Sequence, residues 1–244
     1  MIAQLRAELL KLRSTRTTIG LGLGMVALVL LIVLISGLTG SSSDVVDAGR
    51  QRGTFGIGGA ALLFSSLVGV LTVTGEFRYG TIRPTLLFSP SRSRLVAAKL
   101  AASLIAGVTF GVIAEGLAFG VGYAVLAGRG GSIVLGTNEL LLLTLGSVAN
   151  ATLWAGVGVG VGAILRNQIG ATVGLLAWIF IAENLIFGFV PSVGRYLPGP
   201  SGQALAGDKT DHLVTPLAGG LLLVAYVLAL AAAGAELTTR RDVD

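Results

Sequence analysis

Six windows of this sequence, residues 17–43, 53–75, 100–128, 140–165, 167–194 and 212–235, hold two charged side chains between them, Glu115 and Glu183. Each window reaches the roughly 20 apolar residues with which an α-helix crosses a hydrocarbon core about 30 Å thick. Composition agrees: 53% of residues are hydrophobic and 12% are charged, the latter about half the share usual in a globular chain. An ordinary soluble domain is excluded, and the expected class is an all-α membrane protein with six transmembrane helices. Between the windows no stretch approaches the size of a soluble catalytic domain, on the order of 100 residues. Energy for any work is therefore expected from another polypeptide.

The spans are expected at about 18–38, 55–75, 96–127, 137–165, 168–190 and 213–235, in a single transmembrane domain covering residues 1–244. Residues 1–16 place Ile2, Leu5, Leu9 and Leu12 at helical spacing, with Gln4, Arg6, Glu8, Lys11 and Arg13 elsewhere. That pattern predicts an amphipathic helix lying in the membrane interface. The apolar run from Ile19 exceeds the roughly 7 to 15 residues of a cleaved signal, so the first span is read as an uncleaved anchor. With the N-terminus in the cytoplasm, Arg6, Lys11, Arg13, Arg16, Arg78, Arg83, Arg92, Arg94, Lys99, Arg166, Arg240 and Arg241 fall inside. Only Arg50, Arg52, Arg129, Arg195 and Lys209 fall outside. The asymmetry satisfies the positive-inside rule, and an even number of spans returns the C-terminus to the cytoplasm. The net charge of +5 thus reflects topology and anionic membrane lipid, and no nucleic acid is expected as a partner.

Two loops are unusual. Residues 76–95, inside, combine Glu76, Arg78, Arg83, Arg92 and Arg94 with Pro84 and Pro90. Residues 191–212, outside, read PSVGRYLPGPSGQALAGDKTDH, too apolar to trail in water, and are expected to fold back onto the outer mouth as short helices. Glycines four apart, such as Gly107 and Gly111 or Gly158 and Gly162, let helix backbones approach in lipid and predict a compact bundle.

Several motifs carry no chemistry. Residues Gly202 to Thr210 approach a phosphate-binding loop, but Asp208 separates the second glycine from Lys209 and no strand precedes them. The glycine runs at Gly56 and Gly158 mimic a dinucleotide fingerprint inside transmembrane windows, and the sequon at Asn150 lies mid-span. With no cysteine and one histidine, His212, neither a thiolate metal site nor a multi-histidine site exists in one copy. No catalytic residue and no metal ligand is therefore assigned.

A carboxylate near the membrane centre costs on the order of 2.5 to 3.5 kcal/mol on insertion scales, so Glu115 and Glu183 need a reason. At 1.5 Å per residue, both fall in the outer half of their spans. They are candidates for a substrate path or outer gate, together with Asn150 and Trp154, which share a polar stripe with Thr144 and Ser147 on the fourth span. Hydrogen bonding between helices explains the same stripe equally well.

The segment GEFRYGTIRPTLLFSPSRSRLVAAKL after the second span resembles the type 2 permeases of ATP-binding cassette (ABC) transporters. The matching residues are Glu76, Gly80-Thr81, Leu86, Pro90 and Lys99, supported by ELLKLRSTRTT before the first span and YLPGPSGQAL before the last. Arg83-Pro84 departs from the commonest pattern. The resemblance implies a permease half that pairs with a second permease chain, identical or homologous, and sits on two separate ABC ATPase subunits. Those subunits would bind ATP and Mg; no cofactor and no enzyme activity belong to this chain alone. It also implies that residues 76–95 form a coupling helix, with Glu76, Phe77, Arg78, Tyr79, Gly80, Thr81 and Arg83 facing the ATPase, and that residues 1–16 form a connecting helix. The cargo would be hydrophobic or amphipathic (a drug, lipid or peptide), exported across a bacterial plasma membrane; arginine far outnumbering lysine fits a GC-rich bacterial genome. Two other classes fit the same spans: an ion-coupled secondary transporter using Glu115 and Glu183 as a relay, and a membrane accessory or sensor subunit that transports nothing.

Overall fold

The computed structural model describes residues 2–39, 47–81 and 92–240. Among these residues the chain forms nine helices. They are α1 (Ile2–Ser14), α2 (Arg16–Leu38), α3 (Ala48–Arg78), α4 (Arg92–Gly128), α5 (Thr137–Leu165), α6 (Gln168–Phe189), α7 (Pro191–Gly194), α8 (Pro198–Leu205) and α9 (Pro216–Arg240). Six of them, α2 to α6 and α9, are long and apolar enough to cross a membrane, which makes this a multi-pass helical membrane protein. Half of the expected coupling segment, including Arg83, Pro84, Leu86 and Pro90, lies outside the described residues, as does Arg241.

Local chemistry sets where helices start and stop. The second span begins at Ala48, earlier than hydropathy predicts, because the Asp47 carboxylate accepts the Arg50 N–H at 2.7 Å and caps a polar first turn. The glycine-rich stretch Gly56–Ala60 then tightens into a 3-10 turn within α3. Between α5 and α6 the turn is made by Arg166, a non-glycine residue at φ 54°, and Asn167 caps α6 by accepting the Gly170 N–H at 2.8 Å. Arg166 is held in this sparsely populated conformation by its guanidinium, which donates to the Leu237 carbonyl at 2.9 Å and lies over the Phe77 ring.

Helix α5 occupies the centre, packed against α3, α4 and α9. Small residues make this possible. A Cβ on Gly69 would stand 2.1 Å from the Ala155 carbonyl oxygen, and one on Gly158 would stand 2.0 Å from that of Ser66, so α3 and α5 cross backbone to backbone. In lipid this close approach, rather than hydrophobicity, supplies the association energy. The outer helices α2, α6 and α9 leave Leu23, Ile169, Phe180 and Leu221 exposed, as side chains facing hydrocarbon should be.

The N-terminal helix, the end of α3, the start of α4 and the α5–α6 turn share one face, called terminal below. The start of α3, the start of α5 and the loop after α8 share the opposite, distal face, where Glu139 binds both Arg52 and Lys209. Gly158→Ala should lower stability by about 1–3 kcal/mol through overpacking. Gly116→Ala and Gly174→Ala, whose added methyls meet nothing within 4 Å, should leave it unchanged, as read by thermal unfolding in detergent.

Candidate functional site

At the terminal face four charged side chains close a ring. Lys99 Nζ on α4 donates to Glu8 Oε2 of α1 at 2.9 Å and lies 2.8 Å from Glu76 Oε1 of α3. Lys11 Nζ of α1 reaches Glu8 Oε1 at 2.8 Å and Glu76 Oε1 at 2.7 Å. Lys99 also donates to the Thr72 carbonyl at 3.0 Å. The side chains of Lys99, Glu8 and Glu76 are 3%, 4% and 8% exposed, whereas Lys11 is half-exposed. Burial by itself would lower the Lys11 pKa, but its bonds to Glu76 and Glu8 outweigh that and hold it above the ordinary lysine value.

The ring revises the reading of the N-terminal helix. Glu8, expected away from the apolar stripe, is the buried residue of α1, and Ile2, expected within the stripe, is exposed. A carboxylate tolerates that position because two ammonium groups meet it there. The sequence signal is local: Glu8 lies three residues after Leu5 and four before Leu12, on the face they share.

The expected ATPase-facing residues separate by role. Glu76 points inward, into the ring. Gly80 at φ 68° and Thr81 stop α3: the Thr81 N–H donates to the Glu76 carbonyl at 3.0 Å and the Gly80 N–H to that of Phe77 at 3.4 Å. This is the helix-ending arrangement in which glycine takes the left-handed position. Phe77 lies under the Arg166 guanidinium. Tyr79, 72% exposed, carries Arg78 over its ring. Arg78, Tyr79, Gly80 and Thr81 are exposed on this turn, and Glu76 anchors it from behind.

On the distal side, α8 gathers three of the four expected path residues. Asn150 and Trp154 of α5 lie against Gly202, where an added Cβ would stand 2.3 Å from Asn150 Oδ1 and 3.2 Å from Trp154 Nε1. Glu183 of α6 lies against Gly199 at the start of α8, and accepts a 2.5 Å bond from Trp178 Nε1. A carboxylate there favours the positive end of the helix. The neighbouring Asn184 is not its partner and donates instead to the carbonyls of Ile179 and Phe180.

Glu115 sits apart from these three, on α4, 2% exposed. It faces the 3-10 turn of α3, where a Cβ on Gly58 would stand 2.6 Å from the Glu115 Cα. The hydroxyls of Ser147 and Thr144 lie beside its carboxylate without reaching hydrogen-bond geometry. Between α3, α5 and the segment after α8 opens a cavity of about 510 Å³, with Ser147 and Asn150 at its base and Arg52, Asp208 and Lys209 towards its mouth. The near phosphate-binding motif makes no phosphate cradle. Lys209 is bound to Glu139, and Asp208 accepts from both the Thr210 N–H and its hydroxyl.

No family model matches the chain, and no curated protein matches it. Lys99→Met leaves two buried carboxylates facing one half-exposed cation and should cost about 3–5 kcal/mol. Adding Glu76→Gln should recover part of that loss. Unfolding of the purified protein measures both, and proteolytic cleavage within residues 1–16 reports release of α1.

Proposed function

We propose that this chain is the membrane-spanning subunit of an ABC transporter, exporting a hydrophobic or amphipathic substrate from a bacterial cell. In this reading the terminal face is cytoplasmic, a second permease chain completes the path, and two separate subunits hydrolyse ATP there. The observation that carries it is the ring of Glu8, Lys11, Glu76 and Lys99. It ties the helix leading into the inner loop to the helix leading out of it and to α1. A push on the loop is then delivered to three elements at once, because separating them would strand buried charges at a cost of several kcal/mol. Packed elements coupled in this way move as a rigid body.

Next to the ring, Tyr79 and Arg78 offer an aromatic and a cation, residue types suited to anchoring a partner surface. The distal cavity supplies the other requirement of alternating access, a compartment open to the opposite side.

Affinity-purifying the full chain from its native membrane should recover a soluble ATPase in stoichiometric amount. Arg78→Glu combined with Tyr79→Asp should abolish that recovery while leaving the protein's unfolding temperature within about 2 °C of wild type, as surface changes do. Recovery of the intact chain without any ATPase, together with uphill flux in its absence, would exclude this function.

A further inference from the structure

The distal cavity has a one-sided chemistry. Its base presents Ser147 and Asn150, 1% and 3% exposed. Ser147 Oγ and Asn150 Oδ1 have no hydrogen-bond partner among the described residues, and neither have the two Glu115 oxygens behind Ser147. Of the unpartnered atoms near the base, Asn150 Oδ1 and the Glu115 oxygens accept, Ser147 Oγ can accept or donate, and Trp154 Nε1 donates. Among the described residues no cation pairs with Glu115. Higher up, Arg52 and Lys209 are both bound by Glu139, and Asp208 adds a second negative charge. The mouth is close to neutral, and the base decides the sign.

Apart from Gln203 and Thr210, the walls are small and apolar. Gly53, Gly56 and Gly59 recur along one side of α3, opposite Leu143 and Ala206. A methyl added at Gly53 or Gly56 would meet nothing within 4 Å, so these glycines are not required by packing and leave the cavity wide. Its volume of about 510 Å³ lies within the roughly 300–1,000 Å³ of sites that hold drug-sized molecules.

We propose that this cavity binds an organic cation, a protonated amine on an apolar body, with the ammonium at Ser147 and Asn150 and the Glu115 carboxylate behind them as counter-charge. The bound cation supplies what a buried carboxylate otherwise lacks, an opposite charge in a low-dielectric setting. The amine N–H groups satisfy the open acceptors, and the body lies on the glycine wall. As a statement about cargo this rests on the transporter reading; as a statement about binding it does not.

The test uses the full chain in phosphatidylcholine nanodiscs, titrated with dansylcadaverine, which joins a primary amine to a fluorescent apolar body, and with its N-acetyl derivative, which lacks the charge. The amine should bind saturably and at least about tenfold tighter than the acetylated probe, a difference of about 1.4 kcal/mol. Glu115→Gln should weaken amine binding about tenfold and bring the two probes together, an electrostatic effect. Gly56→Leu, which fills the space without touching the carboxylate, should weaken both probes, and it tests the site even if the Glu115 variant fails to fold. Equal affinity of the two probes for the wild-type chain, or unchanged amine binding in Gly56→Leu, overturns the proposal. A chain that co-purifies with an ATPase but gives no saturable binding defeats this proposal and leaves the transporter reading standing. Binding without an ATPase does the reverse.

Discussion

Two carboxylates and two ammonium groups meet at the terminal face of the bundle, and none of the buried members tolerates burial alone. Glu76 on α3 and Lys99 on α4 form a pair between neighbouring helices; Glu8 on α1 completes it and fixes a helix that would otherwise only float at the interface. The desolvation cost of such a cluster is large, so its merit is specificity rather than net stability. It selects one arrangement of three helices, because every alternative strands a charge. In the proposed transporter, that property suits the place where force would enter the bundle.

The distal half is organised by a different principle. Its ion pairs gather on Glu139, and helices meet through missing side chains: Gly199 and Gly202 let α8 press against Glu183, Asn150 and Trp154. Gly146 and Gly219 receive the same helix, since a Cβ on either would stand 2.2–2.3 Å from a carbonyl oxygen of α8. Polar side chains that look isolated along their own spans thus find neighbours on a short helix contributed from elsewhere. The cavity lies beside this wedge, at the only described break of α3 into a 3-10 turn.

Much of this was legible in the sequence because it depends on short-range patterns. Hydropathy located α2, α5 and α6 closely, and failed at the start of α3 because its first turn is polar and depends on the Asp47 cap. Gly80 and Thr81 stood out through their place in a family-like segment, while their work in the structure is to end a helix. Glu76 and Lys99 were visible as charges at span boundaries. That they share a partner in Glu8, a residue 91 positions from Lys99 in sequence, was not.

By itself the sequence determined the six helices, among the described residues, that are long and apolar enough to cross a membrane, because hydrocarbon admits only long apolar segments whose backbone satisfies its own hydrogen bonds. Tertiary structure decided which polar residues meet: Glu8 with Lys99, Glu183 with the start of α8, Glu115 with the 3-10 turn of α3. A buried charge is stabilised by whatever group lies within a few ångströms, and that distance is set by how the helices pack, which no single helix's pattern encodes.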